Sequence, residues 1–314
     1  MSLRVLVTGA DGFVGRHLLA RLTAAGHQIT AGLRRGSAIP GWAPHGVVWR
    51  DLELSDPASV AAFAAAPADG VLHLAALASG RAAREDPGLA WTVNAAGTAR
   101  LLEALADART STGADPRTIV VSTGEVYGAG PAVPRREADL PCPMSPYAAS
   151  KLGAEVAALE VHRRTGLRVM IARPFAHTGP GQAPIYVAPA FAERLRAVKR
   201  DGTDSVRVGS LAPIRDFLDV RDVAAAYVAL LERGNDGEIY NIASGEGVPL
   251  AELFDRLADT VGVRPTVEAD PSLLRSADLP YLVGNASKIH AATGWSPTIP
   301  FSQTLRDLVD AQAH

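Results

Sequence analysis

The chain has 314 residues, with 31 Lys plus Arg against 33 Asp plus Glu and a net charge of -2, so no global field draws it to nucleic acid or to an anionic membrane. Cys142 is the only cysteine, which excludes an intrachain disulfide, makes a thiolate metal cluster untenable and fits a reducing cytoplasm best. The eight histidines are scattered without ligand spacing, so no metal site is expected.

The first residues, Met1-Ser2-Leu3-Arg4, run into a short apolar stretch and then glycines, which reads as neither a signal peptide nor a membrane span. Apolar, β-rich runs at 4–8, 28–33, 70–74, 118–122 and 168–172 alternate with helical spacing at 14–25, 58–65, 93–105 and 147–165. That rhythm predicts an α/β fold: a doubly wound parallel sheet covered on both faces. After Ala172 the pattern loosens into Pro- and Gly-rich loops around 174–184, then resumes with helices expected at 189–199, 220–233, 250–261 and 301–311. Residues 1–173 are therefore expected to form a dinucleotide-binding domain, with 174–314 mainly a smaller α/β substrate-binding lobe and part of 212–243 packing back on the first. There is no internal repeat, and the alanine-rich 61–66 reads as helix.

The first strand runs into Thr8-Gly9-Ala10-Asp11-Gly12-Phe13-Val14-Gly15. Glycines there permit a sharp turn at Gly9, close approach of a pyrophosphate at Gly12 and close helix packing at Gly15, with the helix N-terminus facing the phosphates. An ordinary strand-to-helix turn with incidental glycines is the plainer alternative; the βαβ setting argues against it. The second strand ends in Arg34-Arg35 where an acidic residue would select NAD. Guanidinium pairs with a 2'-phosphate, so Arg34, and after it Arg35, favour NADPH over NADH, against the alternative of two solvated loop arginines. Asp51-Leu52, after a third short strand, borders the adenine or serves as a turn or helix entry.

Tyr147 and Lys151 lie one helical turn apart and share a face. An ammonium beside the phenol is expected to lower its pKa, letting Tyr147 exchange a proton with a carbonyl or alcohol oxygen, while Lys151 also holds a nicotinamide ribose. A lone Tyr-x-x-x-Lys is commonplace on amphipathic helices. Ser122-Thr123-Gly124-Glu125 at the end of the preceding strand changes its meaning, because carboxyl ends of parallel strands face the cleft and Thr123 could hold the substrate oxygen there.

Gly9/Gly12/Gly15, Leu74-Ala75-Ala76, Asn94, Ser122-Thr123, Tyr147/Lys151, Arg173-Pro174-Phe175 and Arg215-Asp216-Phe217 together resemble the extended short-chain dehydrogenase/reductase family, the NAD-dependent epimerases and dehydratases, over nearly the whole chain. Residues 172–182 and 215–223 most resemble the GDP-4-keto-6-deoxy-D-mannose reductases within it. The resemblance implies a Rossmann-type sheet, with Thr123, Tyr147 and Lys151 catalytic and Leu74, Ala75, Ala76 and Pro174 lining NADPH. Asn94 would brace the active-site helix or cap a helix. It also implies a nucleotide-diphosphate sugar as substrate, with Glu125, His177, Arg215 and Arg275 as its contacts. For the two arginines the alternative is an ordinary surface pair with a neighbouring aspartate, and for Glu125 and His177 a polar lining role. A homodimer through the helices containing Leu101 and Leu159 is implied as well.

Two departures stand out. Related dehydratases carry an acidic or hydroxylic residue where this chain has Gly124, and many relatives carry asparagine where it has Ala176. The expectation is thus an NADPH-dependent reductase of the C4 keto group of a 4-keto-6-deoxyhexose on GDP, or on dTDP. An epimerase or dehydratase that retains NAD is the alternative, and a non-catalytic NADP-binding regulator the third reading.

Overall fold

The computed structural model describes residues 2–273 and 279–311. Among these, the strands are β1 (Arg4–Thr8), β2 (Gln28–Leu33), β3 (Val48–Asp51), β4 (Gly70–His73), β5 (Arg117–Val121), β6 (Val169–Pro174), β7 (Ala176–Thr178), β8 (Ser205–Val208), β9 (Ile214–Asp219), β10 (Ile239–Ile242), β11 (Gly247–Pro249), β12 (Thr266–Ala269) and β13 (Tyr281–Leu282). Seven of them form one sheet in the order β10-β6-β5-β4-β1-β2-β3, and each neighbouring pair is parallel.

Side chains of a strand alternate between its faces, and both faces here are apolar. Val5, Val7, Ile29, Ala31, Leu72, Ile119 and Met170 pack on helices Phe13–Ala24 and Val220–Arg233. Leu6, Val71, Val120, Val169 and Ile171 pack on the opposite side against helices Pro57–Ala64, Gly97–Thr112 and Pro146–Thr165. The strand order reverses between β1 and β4, and ligands bind outside the carboxyl ends of strands at such a switch point.

A second core joins helices Val187–Asp201, Leu250–Val261 and Phe301–Ala311 to β8 and β9. Two small sheets, one with β11, β9 and β13 (β7 also pairing β9) and one with β12 and β8, complete this part of the molecule. Asp222 ties it to the large sheet's helix by accepting from Thr298 N, Thr298 Oγ1 and Ile299 N at 2.9–3.0 Å.

Two features depart from the periodicity. The seventh strand, β10, lies after the loosened region and returns to the far edge beside β6. The helix expected from Val93 begins instead as a wide π-turn, Trp91–Ala96, before becoming α-helical over Gly97–Thr112. A π-turn comes from hydrogen bonds one residue longer than α, which apolar spacing does not report.

Candidate active site

At the end of β1 the backbone turns through Gly9, whose φ is +64°. A Cβ there would stand 2.7 Å from Ala75 N, and one at Gly15 would stand 2.5 Å from the carbonyl oxygens of Gly9 and Ala10. Both positions therefore require glycine on steric grounds. Helix Phe13–Ala24 starts after Gly12 with no side-chain cap and no acidic residue in its first turn. Its leading amides lack intrahelical carbonyls and suit an anion. Asp11 is exposed beside them, and Phe13 and Val14 are half-buried. The crowded glycines and uncapped helix fit the pyrophosphate of a dinucleotide.

At the end of β2, Arg34 is exposed and its side chain makes no hydrogen bond or ion pair among the described residues. Arg35 is exposed too, with Nη2 3.2 Å from the Asp56 carboxylate. Asp51 is exposed and stands opposite Leu33 in the β2–β3 register, while Leu52 is buried. Across the switch point, Leu74 N donates to Thr8 O at 3.2 Å and Ala75 N to Thr8 Oγ1 at 3.0 Å, so 74–76 lies directly over the glycine turn. Pro174 ends β6, paired with Ile242.

β5 ends at Val121, and Thr123 then caps a short 3-10 turn, its Oγ1 accepting from Glu125 N at 3.2 Å. Ser145 caps the next long helix by accepting from Ala148 N, and Pro146 opens it. That start sets the phase that brings Tyr147 to Thr123. Burial, then the Glu125 carboxylate and the Tyr186 phenol, push the Tyr147 phenol above its ordinary range, and the Thr123 hydroxyl directed at it offsets only part. The expected lowering by the Lys151 ammonium is thus corrected: the shift is upward, with burial its largest cause, and the phenol keeps its proton. Lys151 is itself 2% exposed. Burial pulls its pKa down to about 8, against the attraction of Glu155.

Beneath this pair lies a charged group that the sequence reading missed. Glu155, one further turn along the same helix, accepts from Arg173 Nε at 2.9 Å and Nη2 at 2.6 Å and from the Ser122 hydroxyl. The Arg173 guanidinium also lies 4.8 Å from the centroid of the Tyr127 ring. Although burial pulls its pKa down, the Glu155 bonds more than compensate and hold it above the ordinary value. The i, i+4 spacing of Tyr147, Lys151 and Glu155 was the available signal. Asn94 reaches from the π-turn to brace the helix: Nδ2 donates to Ser150 Oγ at 2.9 Å, and Oδ1 accepts from Leu77 N at 2.7 Å.

Gly124 is packed under an aromatic ring. A Cβ on it would meet three atoms of the Phe175 ring at 3.1 Å, so the space of an acidic side chain beside Thr123 is already filled. Glu125 is exposed next to it, close enough to raise both Tyr147 and Tyr186. His177 stacks on Phe13 with centroids 6.2 Å apart and rings 2° from parallel, which sets it against the dinucleotide loop. Its Nδ1 donates to Phe175 O at 2.9 Å, and burial lowers its pKa from the ordinary imidazole value, which that bond partly offsets. Arg215 is half-buried on β9, with Nη1 2.9 Å from Ile214 O. The neighbouring Asp216 is occupied otherwise, accepting from Ser244 N, Ser244 Oγ, Gly245 N and Gly284 N. Arg275 lies outside the described residues. Tyr186, the N-cap of helix Val187–Asp201, was not singled out in the sequence and lies within electrostatic reach of Tyr147.

The switch point, the glycine loop below it and the half-buried Tyr147 facing Thr123 beside the end of β5, with the buried Lys151 one turn further along, define a dinucleotide-binding protein. Residues 5–243 match the model of the NAD dependent epimerase/dehydratase family. The chain belongs to that family. It is 37% identical to a GDP-6-deoxy-D-mannose reductase from Pseudomonas aeruginosa over 98% of this chain and 97% of that one. It is 31% identical to a UDP-glucose 4-epimerase from Mycolicibacterium smegmatis, with 98% of each covered. The solved structure of RMD from Pseudomonas aeruginosa complexed with NADPH superposes with a TM-score of 0.85 at 35% identity, over 99% of this chain and 98% of that one.

Proposed function

We propose that this protein reduces the C4 keto group of a nucleotide-linked 4-keto-6-deoxyhexose with NADPH, on GDP or a dTDP analogue. The observation that carries the reading is the convergence of Tyr147, Thr123 and Lys151 at the end of β5, beside the switch point. Likeness to the reductase of Pseudomonas aeruginosa supports it. Bound NADPH would supply the hydride to the carbonyl carbon.

Everything else falls to the chain. Thr123 donates a hydrogen bond to the keto oxygen and orients it. Tyr147, kept protonated by burial, gives its phenolic proton to that oxygen as charge develops there. Lys151, with a pKa of about 8, is charged at neutral pH and stabilises the phenolate left behind. Arg34, whose side chain has no partner among the described residues, meets the cofactor's 2'-phosphate, and the uncapped helix start meets its pyrophosphate. Glu125, His177, Arg215 and Arg275 are assigned to the nucleotide-sugar side. Residues 1–173 with the returning β10 hold the cofactor, and the smaller lobe holds the sugar.

No helix among the described residues is long and apolar enough to cross a membrane, and a cytoplasmic site of action fits the single cysteine. We assign a homodimer built on helices Gly97–Thr112 and Pro146–Thr165. Leu101 is fully buried in the monomer; the exposed apolar groups on and beside that face are Leu89, Trp91 and Val156, at 44%, 47% and 64%.

The test mixes purified protein with NADPH and GDP-4-keto-6-deoxymannose, or the dTDP-linked 4-ketosugar, and follows nicotinamide absorbance. Oxidation of NADPH with either supports the reading. No loss of absorbance with both overturns it, and turnover of a nucleotide sugar on co-purified NAD without added reductant would replace it with an epimerase or dehydratase. Gly124 under Phe175 argues against the dehydratase. The presence of both Tyr147 and Lys151 argues against a non-catalytic regulator.

A further inference from the structure

His73, at the end of β4, is 1% exposed and takes no part in the chemistry above. Its two ring nitrogens nevertheless complete a chain of hydrogen bonds whose every proton is determined. Thr98 Oγ1 lies 2.6 Å from the Asn94 carbonyl. A carbonyl only accepts, so the single Thr98 proton is committed there. His73 Nε2, 3.0 Å from the same Thr98 oxygen, must therefore be the donor. The neutral ring then has a bare Nδ1, which accepts the Thr8 hydroxyl 2.7 Å away. Thr8 Oγ1 in turn accepts from Ala75 N at 3.0 Å. The order is Ala75 N–H to Thr8, Thr8 to His73, His73 to Thr98, and Thr98 to Asn94 O, all pointing one way. Burial, and the Lys151 charge after it, push the His73 pKa down to about 3, consistent with the neutral tautomer.

The ends of this chain are the parts of the site that must be held in register. Ala75 lies against Gly9 of the dinucleotide loop. Asn94 pins Leu77 from both sides, accepting from its N–H at 2.7 Å and donating to its carbonyl at 3.3 Å. Its Nδ2 also reaches Ser150 Oγ, which donates to the Tyr147 carbonyl at 2.8 Å. The π-turn that presents Asn94 carries the very carbonyl that Thr98 caps. We propose that His73 is a positioning residue, the link through which the glycine-loop strand, the cofactor-lining segment 74–77 and the Asn94 turn under the Tyr147 helix are fixed relative to one another. The inference rests on the assignment of that cleft to NADPH for its kinetic consequences. The mechanical coupling itself can be read without cofactor.

The first measurement is hydrogen exchange on the free protein. Thr8→Val removes the donor to Nδ1 and touches neither Asn94 nor Thr98. It is expected to speed exchange about five-fold or more in 74–77 and also in 91–98, across the ring. Exchange altered in 74–77 alone overturns the proposal.

The second uses replacements that restore one arm each. His73→Asn keeps an acceptor near Nδ1 for Thr8, and His73→Gln keeps a donor near Nε2 for Thr98. Each breaks one arm, and because the ring couples the two segments each is expected to move both readouts, raising the NADPH Kd, by fluorescence titration, and lowering kcat by about three-fold to ten-fold. His73→Phe loses both arms and should exceed either. An Asn variant that changes kcat alone, together with a Gln variant that changes Kd alone, would show two independent local contacts and overturn the coupling. Should the protein bind NADPH yet reduce neither ketosugar, the proposed reaction fails while the exchange and Kd results still judge His73.

Discussion

Lys151→Met is expected to stabilise the free protein while abolishing turnover. The ammonium is buried, and its pKa falls from 10.5 to about 8. A group whose folded pKa is depressed below its unfolded value binds its proton less tightly when folded. Its cost to stability is complete below about 8, shrinks as pH rises toward 10.5 and vanishes above it. The interval corresponds to about 3 kcal/mol at neutral pH. Methionine fills a similar volume with a flexible apolar chain. Removing the charge leaves no orphan, because Glu155 keeps Arg173 and Ser122 as partners. For a chain of this size about 3 kcal/mol raises the melting temperature by about 4–5 °C. Urea unfolding of both proteins at a series of pH values between neutrality and about 10.5 should show the variant ahead at pH 7 and the gap closing as pH rises. A variant no more stable than wild type at pH 7, or a gap independent of pH, would refute the claim that burial sets the lysine's pKa. Stability gained by deleting a functional charge is the expected trade at a site organised for chemistry.

Tyr147→Phe should lower kcat by about a hundred-fold or more while leaving the NADPH dissociation constant within about two-fold; steady-state rates and fluorescence titration check the pair, and undiminished turnover would remove Tyr147 as the acid. Arg34→Ala should weaken NADPH by about ten-fold to a hundred-fold and leave NADH unchanged, the loss of a charge-assisted phosphate bond. Parallel titrations with both cofactors read that selectivity. Gly124→Asp should destabilise by about 1–3 kcal/mol, because the Phe175 ring stands 3.1 Å from the new Cβ. If the ring is the obstacle, Gly124→Asp should cost less in a Phe175→Ala background than in wild type; denaturation of both single variants and the double reads this, and additive costs would remove the ring as the cause.

Much of the arrangement was legible because it is local and periodic. Strands β1 and β2 and helices Val220–Arg233, Leu250–Val261 and Phe301–Ala311 announce themselves by apolar spacing, with glycine or arginine following the first four and Pro300 preceding the last. The glycine loop is recognisable because Gly9, Gly12 and Gly15 follow β1 at a fixed spacing, and at Gly9 and Gly15 the fold leaves no room for a Cβ. Tyr147 and Lys151 are recognisable because one helical turn separates them. What no spacing could give is proximity between residues far apart in the chain. Tyr147 has a raised pKa because the fold encloses it, although the ammonium beside it argues the opposite on paper. Gly124 gains its meaning from a ring on β6–β7, and His73 from Thr8 and Thr98 on either side of it. Sequence by itself determined most strands and helices of the large sheet, the glycine loop and the one-turn spacing of Tyr147 and Lys151, since those depend on neighbours within a few residues. Only the tertiary structure decided protonation, which side chains share the buried space, and which backbone segments are tied together, since desolvation and hydrogen bonding act between whatever surfaces folding brings into contact.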